Sequence, residues 1–341
     1  MAEPGLLFVD TCAPRAYDSL GAGLHGLGGT EATILRVAFG LAPDMAVSIA
    51  QSRRTEAVTR QLVDFLPWPS PVTGGAIVVI NSWKLAVKLR RRHPHRRVAL
   101  WLHVFPGRHN RAMGAALAEA GVEVIAVSHS HRRWLCRFFA PAAPPVGVLY
   151  NPVADTLAPD ATPRDPDLLL FASAPHKGLD QVIARFALLR SEIPSLRLEI
   201  ADPGYLHWPC GQKATDNLRW LGTLDQDRLI GHYRRALCLF MPQTSFAETF
   251  GLVIAEANAT GCPALLHQGL GANDEIAAKG SALIDARDPA AILRAIRNWR
   301  KHPPSCLPRP EFGLANVLAA WRSWVDTPLP STGFVGGATP S

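Results

Sequence analysis

Three clusters in this 341-residue chain carry residue types and spacings that could do chemistry. In the last of them Glu248-Thr249-Phe250-Gly251-Leu252-Val253 leads to Glu256, with seven residues between the two glutamates. Ala257, Gly261, Pro263 and Asn273-Asp274-Glu275 follow. An apolar run at 236–241 precedes the cluster, so Glu248 should fall on a strand-to-helix loop and Glu256 about two turns inside the next helix. Two carboxylates at the mouth of a sheet are costly unless they accept hydrogen bonds, and a neutral, hydroxyl-rich ligand such as a sugar or a ribose meets that need. The other reading is a capping glutamate followed by a surface one. Against it stands Gly251, which helix propensity gives no reason to place so early in a helix.

In the second cluster, Ser173-Ala174-Pro175-His176-Lys177-Gly178 follows an apolar run at 168–172 and precedes a helical stretch. A lysine at such a turn stands at the carboxyl edge of a sheet, where open α/β sheets bind ligands, and could neutralise a phosphate; an exposed helix cap is the alternative. In the first cluster, Gly26-Leu27-Gly28-Gly29-Thr30-Glu31 opens a helix running to Leu41. Glycines let backbone N–H groups approach a ligand closely, and a helix N-terminus favours an anion. A plain loop with Thr30 as the helix cap is the other reading.

These clusters need elements to hold them. Apolar runs at 6–9, 76–80, 98–104, 122–127, 168–172, 196–201 and 236–241, with weaker ones at 264–267 and 282–284, read as strands. Helical periodicity at 30–41, 177–191, 225–235 and 289–301 alternates with them. Strands apolar on both faces, alternating with helices, imply an α/β chain with parallel sheets covered by helices. The length predicts two domains. Seven prolines between 141 and 166 mark a linker. The expected organisation is therefore a first domain at 1–150, a second at 151–310, a helix at 311–326 and a mobile tail at 327–341.

Together and in this order, the clusters resemble the GT-B glycosyltransferases of the large retaining group often called family 4 or group 1. The matching stretches are Gly28-Gly29-x-Glu31, Tyr150-Asn151-Pro152-Val153, Lys177-Gly178 and Glu248 with Glu256, and the likeness runs from about residue 6 to residue 325. The resemblance implies two Rossmann-like domains facing each other across a cleft, the 311–326 helix returning to the first. It implies transfer of a sugar from a nucleoside-diphosphate sugar, bound mainly on the second domain, to a glycolipid or saccharide acceptor on the first. Glu256 would hold the ribose hydroxyls and Glu248 the hydroxyls of the transferred sugar. Lys177 and the backbone N–H groups of Phe250, Gly251, Leu252 and Val253 would stabilise the diphosphate, with Gly28, Gly29 and Ser173 beside the donor. His103 takes the place of the family histidine near the donor sugar; a buried structural histidine is the other reading. Retention is implied, the leaving phosphate taking the acceptor proton; neither metal nor other cofactor is expected, since the histidines of the first half show no ligand spacing.

One position departs from the pattern. Many relatives carry an arginine five residues before the lysine, and here that residue is Ala172. Either another cation, His176 or an arginine of the first domain, replaces it, or the donor binds more weakly. A catalytically inactive GT-B module serving as a partner subunit and a nucleotide-sugar epimerase remain alternatives; a phosphorylase-like enzyme would want a pyridoxal-binding lysine environment that the sequence does not reveal.

Charge is distributed unevenly. The net +7 arises from residues 1–150, with 17 Lys+Arg against 9 Asp+Glu, while residues 151–341 hold 18 against 19. Lys84, Lys88, Arg91 and Arg92 recur at helical spacing, and Arg96, Arg97, Arg108, Arg111, Arg132, Arg133 and Arg137 belong to the same half. The excess points to an anionic partner, for which an anionic membrane surface or lipid-linked acceptor is the expectation, a solvated basic surface being the other reading; nucleic acid is not expected, since the cluster lacks interleaved aromatics and no recognised module is present. No run approaches the ~18 apolar residues of a spanning helix, and Glu3 and Pro4 stand where a secretory signal carries Lys or Arg, so the expected location is cytoplasmic, peripheral to the inner face of the membrane. Asp225-Gln226-Asp227 and Asp165-Pro166-Asp167 look like metal-binding D-x-D, but the first precedes a helix, where Asp225 would be an N-cap, and the second lies in the linker. The six cysteines are scattered without zinc spacing and read as reduced, apolar-packed thiols.

Overall fold

The computed structural model describes residues 5–20, 27–72, 74–204 and 217–327; Gly26, Cys210 and the tail after Thr327 lie outside them. In the first half the chain runs β1 (Gly5–Asp10), α1 (Gly29–Leu41), β2 (Ala46–Gln51), β3 (Val58–Arg60), β4 (Val63–Pro67), β5 (Ala76–Ile80), α2 (Trp83–Arg92), β6 (Arg97–Trp101), α3 (Met113–Ala120), β7 (Glu123–Ala126), α4 (His129–Phe139) and β8 (Val146–Val148). The second half continues with β9 (Asp165–Ala172), α5 (Leu179–Glu192), β10 (Arg197–Ala201), β11 (Leu218–Gly222), α6 (Gln226–Arg235), β12 (Ala236–Met241), α7 (Leu252–Ala259), β13 (Ala264–His267), α8 (Asn273–Ile276), β14 (Ala282–Ile284), α9 (Pro289–Lys301) and α10 (Leu314–Asp326).

Among the described residues the strands form two sheets, ordered β3-β4-β2-β1-β5-β6-β7-β8 and β11-β10-β9-β12-β13-β14. All neighbours pair in parallel except β3 with β4. Parallel strands need helical crossovers that cover both faces, which is why β1, β5 and β12 are buried at every residue. In the first sheet α2, α3 and α4 pack on one face and α1 and α10 on the other.

The predicted linker is shorter than its prolines suggested. β8 lies inside it as the edge strand of the first sheet, where the preceding Pro141, Pro144 and Pro145 break no ladder, and β9 already begins at Asp165. The chain leaves and returns side by side: Val153 N–H donates to the Phe312 carbonyl at 2.7 Å, and Asp155 accepts from Leu314 N at 2.7 Å, capping α10. From there α10 lies against the first sheet. Trp321 is fully buried, its ring 4.7 Å from that of Trp101 and 5.7 Å from that of Phe8. Arg97 serves this junction rather than the solvent, pairing with Glu123, covering the Trp324 ring at 4.2 Å and donating to the Trp324 carbonyl.

Candidate donor site

At the N-terminus of α7 the site is assembled by glycine and a loop. Gly251 caps the helix with φ +94, a left-handed conformation that L side chains rarely adopt, which explains a glycine there. Glu248 lies on the loop after β12, as the spacing predicted, and Glu256 is the fifth residue of α7, nearer its start than expected. Both carboxylates are buried. Their partners in the protein itself are cations rather than neutral donors: Lys177 Nζ is 2.8 Å from Glu248 Oε1, and Arg36 Nη2 is 2.9 Å from Glu256 Oε1. Lys177 ends a 3-10 turn at Pro175–Lys177, just beyond the carboxyl end of β9, and its Nζ also sits 5.0 Å from the Phe246 ring centroid.

Ser173 and Ala172 are buried at the end of β9. Burial, together with the neighbouring charge of Lys177, lowers the His176 pKa below the ordinary 6.5, which weighs against it as the cation that replaces the missing arginine.

The first domain brings its own helix N-terminus to the same place. Gly28 caps α1 without a side-chain hydrogen bond, so Thr30 is not the cap; a Cβ on Gly28 would stand 2.5 Å from Glu31 Oε2, and one on Gly29 would touch Leu252 at 3.7 Å. His103 lies two residues past the end of β6, which stops at Trp101 rather than running to 104. Its backbone bridges the domains, the N–H donating to Asn81 Oδ1 at 2.8 Å and the carbonyl accepting from Thr249 Oγ1 at 2.9 Å. Its ring lies 4.5 Å from that of Trp101, and Nε2 is buried without a hydrogen-bond partner among the described residues.

Burial, with His131 nearby, lowers the His103 pKa to about 3, and burial lowers His131 to about 4. Below the unfolded value of about 6.5 the unfolded chain therefore binds protons that the native state refuses. Stability should be level above that pH and decline as pH falls toward 4. Urea unfolding measured across this range checks it, and His103→Gln should remove part of the slope.

Sequence reasoning missed the contacts that close the two domains on each other. Glu275 accepts from His129 N at 2.8 Å and Ser130 N at 2.7 Å, satisfying free N–H groups at the start of α4, and from Tyr150 Oη at 3.1 Å. Burial alone would raise the Glu275 pKa, but these donations outweigh it and hold the carboxyl below its ordinary value. Ser128 Oγ caps α4 and donates to the Thr249 carbonyl at 2.6 Å. Asn273-Asp274-Glu275 and Tyr150-Asn151-Pro152-Val153 stood out in the sequence, but the contacts between them did not.

The remaining candidates resolve into structural roles. Asp225 caps α6, accepting from Arg228 N at 2.8 Å, while Asp165 and Asp167 pair with Arg197 and Arg300. Among the described residues no group of three or more His, Cys, Asp or Glu is arranged to hold a metal ion, and no helix is long and apolar enough to cross a membrane. Cys12, Cys136, Cys238, Cys262 and Cys306 are unbridged. Lys84, Lys88, Arg91, Arg92, Arg108, Arg111, Arg132, Arg133 and Arg137 are exposed. Aromatic residues do interleave with them: Trp134 stacks on Phe138 at 5.1 Å and meets Phe105 at 4.9 Å.

Two parallel sheets with a glycine-headed helix from each meeting between them define the GT-B fold of glycosyltransferases. Residues 160–308 match the family model of "Glycosyl transferases group 1". Over 160 residues the chain is 32% identical to D-inositol 3-phosphate glycosyltransferase of Streptomyces coelicolor, covering 41% of this chain and 34% of that protein. It thus spans about a third of the length of the curated relatives it matches. Its fold is similar to that of sucrose-phosphate synthase from Thermosynechococcus elongatus (TM-score 0.68, 16% identity, 94% of this chain and 96% of that one). It is also similar to Anabaena HepE in complex with UDP and glucose (TM-score 0.61, 14% identity, 94% and 99%). Residues 160–308 are thus similar to the group 1 glycosyltransferases, and the chain as a whole shares the fold of these solved structures.

Proposed function

We propose that this chain is a retaining glycosyltransferase that moves a sugar from a nucleoside-diphosphate sugar to a hydroxyl-bearing saccharide or glycolipid acceptor. One observation carries the reading. The Lys177–Glu248 pair, the N-terminus of α7 and the loop of His103 meet between the two sheets, linked by the Thr249–His103 hydrogen bond. Negative charge grows on the departing diphosphate, so a fixed ammonium and aligned backbone N–H groups stabilise the transition state more than the ground state. Neutral His103 can share one hydrogen bond with a sugar hydroxyl, and Glu248 can accept others. In this reading the leaving phosphate takes the acceptor proton, and no step requires a metal.

UDP, bound in the Anabaena neighbour, is the first nucleotide to test, and GDP the second. The name of the curated relatives, an inositol phosphate glycosyltransferase, and the arginines of the first domain both favour an acceptor carrying an anionic group. The exposed basic faces of α2 and α4 suit an anionic membrane surface, and salt-sensitive co-sedimentation with anionic but not neutral vesicles would support that placement. The deciding experiment incubates the purified chain with UDP- and GDP-sugars and follows release of the nucleoside diphosphate, with the anomer of the product read by NMR. Release with retention is expected. Binding without release would favour the inactive partner subunit.

A further inference from the structure

An ion pair between the two domains passes through the donor site. Arg36 stands two turns inside α1, with only 10% of its side chain exposed. Its Nη2 donates to Glu256 Oε1 at 2.9 Å and its Nη1 to the Pro152 carbonyl at 3.3 Å, so one guanidinium grips the first domain's helix, the crossover between domains and the donor-site glutamate. The Glu256 side chain is 6% exposed. Removing two such charges from water is costly, and a pair kept in that state is better explained by the geometry it enforces than by stability. Arg36 is also the wrong cation to fill the gap at Ala172, because its guanidinium is committed to Glu256 and to a carbonyl.

We infer that Arg36 is a positioning residue for the nucleotide. By occupying Oε1 it fixes the Glu256 carboxylate, so that Oε2 remains to accept the vicinal hydroxyls of the ribose. A planar guanidinium sets the angle of a carboxylate in a way that an ammonium does not. Because Arg36 belongs to the other domain, the orientation of Glu256 depends on how the domains are seated, and nucleotide binding and seating favour each other. The inference rests on the donor-site reading of Glu256.

Titration calorimetry with UDP and, in parallel, GDP tests it. Glu256→Gln should weaken binding about tenfold or more, the worth of a charged hydrogen bond. Arg36→Met should weaken it by a similar factor and raise the donor KM more than it lowers kcat, with Arg36→Lys recovering part of the loss. In the Glu256→Gln background the Arg36→Met change should cost less than about twofold, because its partner is already gone. That double variant leaves no uncompensated buried charge, so it keeps the comparison interpretable if Arg36→Met alone folds poorly. Wild-type affinity in Arg36→Met, or the same loss in both backgrounds, overturns the positioning role while leaving the donor site standing. Unchanged affinity in Glu256→Gln, or no nucleotide affinity in the wild type, removes the donor-site reading and this inference with it.

Discussion

Replacing Lys177 by alanine should lower turnover by about 10²–10³-fold, the usual cost of deleting one preorganised donor at developing charge. The side chain is held from two directions. Gly178 ends its 3-10 turn at φ +88, and Glu248 and the Phe246 ring fix Nζ. Ala172 leaves the neighbouring strand end without the usual arginine, and the His176 pKa is lowered, so in the proposed reaction the diphosphate would lean on Lys177 and the α7 N-terminus. Lys177→Arg keeps the charge, but its wider fork does not fit the same cradle, and a loss of about tenfold is expected. The readout is kcat for nucleotide release at saturating donor. Because Lys177→Ala also strips Glu248 of its counter-charge, unfolding of each variant is measured alongside, and Glu248→Gln separates the two effects. EDTA should leave all rates unchanged. Wild-type turnover in Lys177→Ala would remove this side chain from the reaction.

The parts of this molecule that were readable in advance are those whose cause is local. β1, β5, β9, β10 and β12 announce themselves as apolar runs because helices cover both of their faces, and the motif residues Lys177, Glu248 and Glu256 fall on the turn, loop and helix that follow β9 and β12, whose positions those runs dictate. β2 alternates exposed and buried residues only over its first four, β8 is three residues long, and β11 is half-exposed at an edge. Their pairing is decided by neighbours rather than by their own composition. Long-range partners left still less trace. Arg36 meets Glu256 across 220 residues of sequence, and Glu275 meets the start of α4 across 146. The chemical need of each carboxylate was legible, but which cation or N–H group would meet it depends on how the domains close.

Gly271, which no motif singled out, should prove as sensitive as a residue of the site. It has φ +59, and a Cβ added there would stand 2.5 Å from the carbonyl oxygen and 2.7 Å from the nitrogen of Glu248, both backbone atoms. Its neighbour Ala272 donates to that same carbonyl at 3.0 Å. Gly271→Ala therefore meets two costs. The left-handed conformation costs an alanine about 1–2 kcal/mol. The overlap with backbone has no rotamer that relieves it, so the loop carrying Glu248 must move, bringing the loss to about 2–4 kcal/mol. A shift of even ~1 Å in a positioning group can cost ~10²-fold in rate, so the folded fraction of the variant should turn over about 10–100-fold more slowly. Gly269→Ala supplies the control. Its φ of +73 is equally left-handed, but nothing lies within 4 Å of its added Cβ, so only the conformational cost applies and turnover should hold. Equal losses of stability and rate in the two variants, measured by urea unfolding and nucleotide release, would show that the contact with Glu248 contributes nothing.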